Sequence, residues 1–105
     1  MTLTFNWAQA QVHERISQHP DWYFPNKKLI EKLKEEWLEI EEALETYAQS
    51  PTEENKEALK IEIGDELFAL ICLANSKGIS LDECFDLMME KNRNRAKNNY
   101  KKEEK

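Results

Sequence analysis

Apolar residues recur along this chain at helical spacing, and no stretch alternates as a strand would. Phe5, Ala8, Val12 and Ile16 return near the 3.6-residue period, with Trp7 beside them, and predict a helix from Phe5 to about Gln18. Pro20 ends it. A loop follows, His19-Pro20-Asp21-Trp22-Tyr23-Phe24-Pro25-Asn26, bracketed by prolines and carrying three adjacent aromatics. Leu29, Leu33, Trp37, Ile40, Leu44 and Tyr47 mark one stripe of a second helix, from about Lys27 to Gln49. Ser50-Pro51-Thr52 breaks the chain and supplies capping chemistry for a third helix, from about 53 to Ser76. Lys77-Gly78 stops that helix, and Ser80-Leu81-Asp82-Glu83 is a capping box that opens a fourth. Leu81, Cys84, Phe85, Met88 and Met89 form the apolar face of the fourth helix. From Lys91 onward it turns basic, and residues 101–105 are expected to fray. The expected fold is all-α: a four-helix bundle-type protomer forming a single domain over residues 1–105.

The third helix is the centre of this pattern. From Ile61 to Ala74 its apolar side chains point in nearly every direction, which is the mark of a core helix. Four short helices of one chain do not easily enclose such an element. Helix one and the faces bearing Phe68 and Leu73 are therefore expected to pack against a second copy, as a homodimer or homotetramer. Yet Glu62 and Asp65 sit in this apolar helix three positions apart, on one face with Ala58, Ala69, Cys72 and Ser76. A buried carboxylate without a partner costs several kcal/mol or takes up a proton, so the pair calls for a cation.

Composition narrows the function. The formal net charge is -6, which disfavours a nucleic-acid backbone as partner. No apolar run approaches the roughly 20 residues that span a membrane. Cys72 and Cys84 lack CxxC spacing and read as reduced core residues of a cytoplasmic protein. There is no Gly-rich phosphate loop, and His13 and His19 read as surface residues, too few for a His-containing di-metal bundle.

The break at Ser50-Pro51 is short, so helices two and three should be antiparallel neighbours. With the turn centred between those residues, positions whose numbers sum to 101 face each other. Glu36 then lies opposite Asp65, and Glu39 opposite Glu62. All four carboxylates stand at one height, roughly 17–22 Å from the turn at 1.5 Å per residue. The plain alternative is that Glu36 and Glu39 are solvated and pair within their helix with Lys32 and Lys28. An all-oxygen donor set selects a hard cation, Mg²⁺ or Mn²⁺, rather than Zn²⁺. Mg²⁺ keeps waters and is completed by substrate phosphates, so the pattern points to phosphate chemistry. Lys91 and Arg95, four apart on the fourth helix, suit the charge of a polyphosphate. The alternative for them is a solvated basic face near a helix C-terminus.

Glu35-Glu36-Trp37-Leu38-Glu39 followed by Glu62-Ile63-Gly64-Asp65 resembles the E-x-x-E…E-x-x-D pattern of the MazG-like all-α nucleotide pyrophosphohydrolases. The likeness runs over roughly residues 26–96. It includes the Gly-Asp step, Lys77-Gly78-Ile79 at the turn, and Lys91 and Arg95. The length is similar to that of the small stand-alone members. Trp37 and Leu38 depart from the common pattern, where smaller residues are frequent.

The resemblance implies Glu36, Glu39, Glu62 and Asp65 as Mg²⁺ ligands, with Glu36 or Glu39 as the proton acceptor for attacking water. It implies Lys91 and Arg95 as phosphate contacts, and Trp22 or Phe24 as a surface that stacks on the base. The implied activity is hydrolysis of nucleoside triphosphates, often deoxy or damaged ones, to the monophosphate and pyrophosphate, as house-cleaning or pool control. Phosphoribosyl-ATP pyrophosphohydrolase-like activity and a non-catalytic, partner-binding helical module are the competing readings. The pattern does not separate the two glutamates as base, nor the dimer from the tetramer, nor the preferred nucleotide.

Overall fold

The computed structural model describes residues 4–18 and 25–103, with side chains up to Arg95. It contains four helices: α1 (Phe5–Ser17), α2 (Asn26–Gln49), α3 (Glu53–Ser76) and α4 (Leu81–Glu103). No strand occurs among the described residues.

Capping side chains define the ends. Thr4 Oγ1 accepts from the Trp7 N–H at 3.0 Å, and Thr52 Oγ1 from the Asn55 N–H at 3.1 Å. Ser80 Oγ accepts from the Glu83 N–H at 3.4 Å, the weakest of the three caps. At the end of α3, Gly78 takes φ +65°. The Ile79 N–H donates to Ala74 O at 2.9 Å and the Gly78 N–H to Asn75 O at 3.2 Å, the paired bonds of a Schellman stop. The helix α4 is drawn through Glu103, and residues 104–105 of the tail expected to fray lie outside the described residues.

The helices α2 and α3 pack along one another as the antiparallel hairpin that carries the acidic residues. The first helix lies across the C-terminal half of α3, where Ile16, Leu29 and Cys72 form the buried core with Val12, Phe68 and Leu73 packed against them. One polar junction joins α1, α3 and the start of α4. Gln9 Nε2 donates to Asn75 Oδ1 at 2.9 Å and to Ile79 O at 2.7 Å, while Gln9 Oε1 accepts from the Leu81 N–H at 2.8 Å. Asn75 Nδ2 returns a bond to Gln9 O at 3.0 Å. Asp82 reaches back to the open end of α1, accepting from the Phe5 N–H at 3.1 Å, and the Phe5 and Phe85 rings lie 5.9 Å apart.

The expectation of a core helix holds for half of α3. Ala69, Ile71, Cys72 and Ala74 are buried, but Ile61 and Ile63 are 59% and 52% exposed, and Leu67 and Leu70 are also open. The faces bearing Phe68 and Leu73, expected against a second copy, are packed inside the chain; the uncovered apolar surface lies nearer the N-terminus of α3. Trp37 and Leu44, assigned to the buried stripe of α2, are exposed, because α1 is too short to reach that length of the hairpin. Cys84, expected in the core, is exposed because α4 leaves the hairpin and packs on α1. The radius of gyration, 17.3 Å, exceeds the roughly 13 Å of a compact chain of this length.

Ile16 has no exposed surface, and its side chain joins α1 to the hairpin. Ile16→Ala should cost about 2–5 kcal/mol in urea unfolding, through lost burial and the cavity left behind. Asp82→Ala removes only a cap and should cost about 1 kcal/mol.

Candidate metal centre

Glu36 and Glu39 project from α2 and Glu62 and Asp65 from α3, and the hairpin brings them to one place. One carboxylate oxygen from each lies within 4.8 Å of the others. The mirrored register expected about the Ser50-Pro51 break is therefore realised. It works because α2 and α3 are unbroken on both sides of the turn, so each residue keeps its height.

The four residues are not equivalent. Glu36 is buried, at 4% exposure, Glu62 is half-buried, and Glu39 and Asp65 are exposed. Glu36 Oε1 lies 2.7 Å from Lys32 Nζ, one helical turn away. The hydrogen bond to Glu36 holds the Lys32 ammonium above its usual range. Both sequence readings of Glu36 thus hold together: it pairs with Lys32 through one oxygen and faces the cluster as well. Glu36 Oε2 and Glu62 Oε2 are buried without a hydrogen-bond partner. Leaving such oxygens unsatisfied costs on the order of 1–3 kcal/mol each, more when charged. Glu39 carries the electrostatic consequence. Its carboxyl is pushed up to about 7, first by the hydrogen bond with Glu62, then by the charges of Glu36 and Glu62.

Glu66 belongs beside this group and was not among the expected ligands. Its Oε2 is buried and unpartnered, and burial followed by the charge of Glu36 raises its carboxyl. The register already contained the hint, since positions 36 and 66 differ by one step from a facing pair.

Orphaned buried oxygens and an all-carboxylate donor set fit a hard divalent cation, and Glu36, Glu39, Glu62 and Asp65 are the residues that would hold it. Beside the cluster, Glu39, Ala43, Thr46, Asn55, Ala58 and Glu62 line an open cleft of about 410 Å³ running toward the turn. The small side chains of Ala43 and Ala58 create that space. The other expected residues are placed differently. Lys91 and Arg95 are exposed on α4 and form no ion pair among the described residues. Trp22 and Phe24 lie outside the described residues.

The sequence profile of the MazG nucleotide pyrophosphohydrolase domain matches residues 24–100. The chain belongs to this family. An uncharacterized protein of Bacillus subtilis strain 168, YpjD, is 38% identical over 105 residues, covering 96% of this chain and 94% of YpjD. A crystal structure of YpjD from Bacillus subtilis, described as a candidate pyrophosphatase, superposes with a TM-score of 0.74 at 35% identity, over 91% of this chain and 93% of that one. The all-α architecture is thus that of a MazG-like hydrolase family. No helix among the described residues is long and apolar enough to cross a membrane.

The raised Glu39 carboxyl gives the metal-free protein a characteristic pH response. The Glu39 carboxyl rises from an ordinary 4.5 to about 7 on folding. Its contribution to stability is fully present below the lower value and is lost as the pH climbs through the upper one. In EDTA, the melting temperature of the wild type should fall across this window relative to Glu39→Gln. Added Mg²⁺ at alkaline pH should raise the wild type more than the variant. A constant gap between the two proteins across the window would contradict the raised Glu39 carboxyl.

Proposed function

We propose that this chain hydrolyses nucleoside triphosphates, deoxynucleotides above all, to the monophosphate and pyrophosphate, as a house-cleaning or pool-control enzyme of the cytoplasm. The observation that carries the reading is the convergence of Glu36, Glu39, Glu62 and Asp65, with buried oxygens left unpartnered, in a chain of the MazG family. Bound Mg²⁺, or Mn²⁺ in its place, supplies charge neutralisation at phosphate oxygens and lowers the pKa of water.

The chain's own residues divide the remaining work. Glu36, buried and fixed by Lys32, suits a ligand that must not move. Glu39 stands at the exposed edge, where its carboxylate oxygen can take a proton from water as that water attacks the α-phosphorus and the bond from the α-phosphorus to the leaving pyrophosphate breaks. Asp65, exposed on α3, completes the open side of the cluster. Lys91 and Arg95 steady the leaving pyrophosphate. The base stacks on Trp22 or Phe24.

The functional unit is a homodimer or a dimer of dimers. Each protomer exposes 8478 Å², about 2,300 Å² more than the roughly 6,200 Å² expected for a folded monomer of its mass. That excess is of the size that obligate interfaces bury, and Trp37, Leu38, Ile61 and Ile63 lie within it. A sedimentation run showing a stable monomer at micromolar concentration would refute the assembly.

The test of function is Mg²⁺-dependent turnover over a panel of dNTPs and NTPs, with pyrophosphate resolved from orthophosphate. Pyrophosphate and monophosphate are the expected products. Glu39→Gln should lower kcat by about 10²–10⁴-fold while leaving helix content intact. Orthophosphate as the product, or normal turnover in the variant, would overturn the reading.

A further inference from the structure

We propose that the groove between α2 and α3, on the turn side of the acidic cluster, seats the nucleoside of the substrate and selects bases that carry an exocyclic amino group, cytosine and adenine. A nucleoside as the occupant rests on the pyrophosphohydrolase reading above; the shape and polarity of the groove do not.

The register that unites the four acids continues toward the turn. Beyond Glu36–Asp65 and Glu39–Glu62 come Ala43–Ala58 and then Thr46–Asn55, each pair set across the hairpin by the same count from the Ser50-Pro51 break. Successive pairs are three or four residues apart, so they follow one face of each helix. Glu39, Ala43, Thr46, Asn55, Ala58 and Glu62, with Glu42, line one cleft of about 410 Å³. The pairs differ in what they offer. The acids carry charge, the alanines leave the walls bare, and threonine and asparagine close the far end with polar atoms. Glu62 Oε2, buried and without a partner, lies at the near end. From Glu39 to Thr46 the groove runs about 10 Å at 1.5 Å per residue. A ribose and a base in line take up that length when the α-phosphate sits at the acids.

Charge decides which part of a nucleoside triphosphate enters. Glu39, Glu42 and Glu62 line the cleft, and no lysine, arginine or histidine does among the described residues. A phosphate chain is repelled from this end. It extends over the cluster in the other direction, and the uncharged nucleoside points to the turn.

Acceptors prevail at the far end. Glu42 is exposed one turn from Thr46 on the same face, and its carboxylate only accepts. Asn55 is held in place, its backbone N–H donating to Thr52 Oγ1 at 3.1 Å and its Nδ2 to Ser50 O at 2.8 Å. Its Oδ1 is left as an acceptor. The Thr46 hydroxyl can donate. Cytosine and adenine present an amino donor beside a ring-nitrogen acceptor, so Glu42 and Thr46 can both be satisfied on one edge. Uracil, thymine, guanine and hypoxanthine set a carbonyl oxygen in place of that amino group and bring it against a carboxylate.

The experiment compares substrates that differ at that edge. In dCTP against dUTP, and dATP against dITP, kcat/KM for pyrophosphate release should favour the amino base by about ten- to a hundredfold, the range that a hydrogen bond to a charged group supplies. Glu42→Gln, whose amide can donate to a carbonyl, should remove most of that preference. Ala58→Leu fills the groove from an exposed helix position. It should raise KM for every nucleotide while Mn²⁺ affinity, read by electron paramagnetic resonance, stays that of the wild type. Equal kcat/KM within both pairs, or an unchanged KM in Ala58→Leu, would overturn the proposal and leave the pyrophosphohydrolase activity standing. Binding supplies a readout without turnover. The α,β-imido analogues of dCTP and dUTP, titrated with Mg²⁺ present, should show the same preference in the wild type and its loss in Glu42→Gln. A wild type that releases no pyrophosphate but binds with this preference would sink the activity and support the groove. Equal binding of the two analogues would overturn the groove whatever the turnover.

Discussion

Mutual repulsion among four carboxylates is the constraint on which this structure turns. Glu36, Glu39, Glu62 and Asp65 are held within 4.8 Å by two helices that have no freedom to separate them. One cation from the chain, Lys32, relieves part of the charge, and the hydrogen bond with Glu62 and the neighbouring charges push the Glu39 carboxyl up to about 7. Buried oxygens on Glu36 and Glu62 stay unsatisfied. An all-carboxylate donor set with buried unsatisfied oxygens fits a divalent cation, whose charge would offset this repulsion.

The remainder of the protomer exists to keep that hairpin in register. Its core is small and displaced toward one end, where Ile16, Leu29 and Cys72 meet. Burial raises the Cys72 thiol to about 11, so it stays a protonated apolar contact. The Gln9–Asn75 junction locks α1 to the end of α3, and the Gly78 turn sends α4 away. The same economy leaves Trp37, Leu38, Ile61 and Ile63 in water, which a single copy of so small a chain cannot avoid.

Much of this was legible along the sequence. Helical periodicity, the Ser50-Pro51-Thr52 break and the Gly78 stop placed the starts of all four helices and the ends of the first three to within a residue or two. The antiparallel register of α2 and α3 brought Glu36 to Asp65 and Glu39 to Glu62, because a straight helix converts residue number into height. What misled was burial. The stripe containing Leu29 and Trp37 is uniform in sequence, yet Leu29 is covered and Trp37 is not. Likewise Cys84 continues the pattern of Leu81, but Leu81 is half-buried and Cys84 is exposed.

Local spacing by itself determined the helices, their ends and the height of each carboxylate, since these depend on neighbours a few residues away. Tertiary structure alone decided that Glu36 is buried while Glu39 is open, and that Glu66 holds a buried, unpartnered carboxylate oxygen. It alone decided that α4 carries Lys91 and Arg95 on an exposed face off the hairpin. These depend on which faces of distant helices meet, and on how far a short α1 can reach. An apolar pattern states that a face must be covered; only the packed chain reveals which part of that demand a single copy can meet.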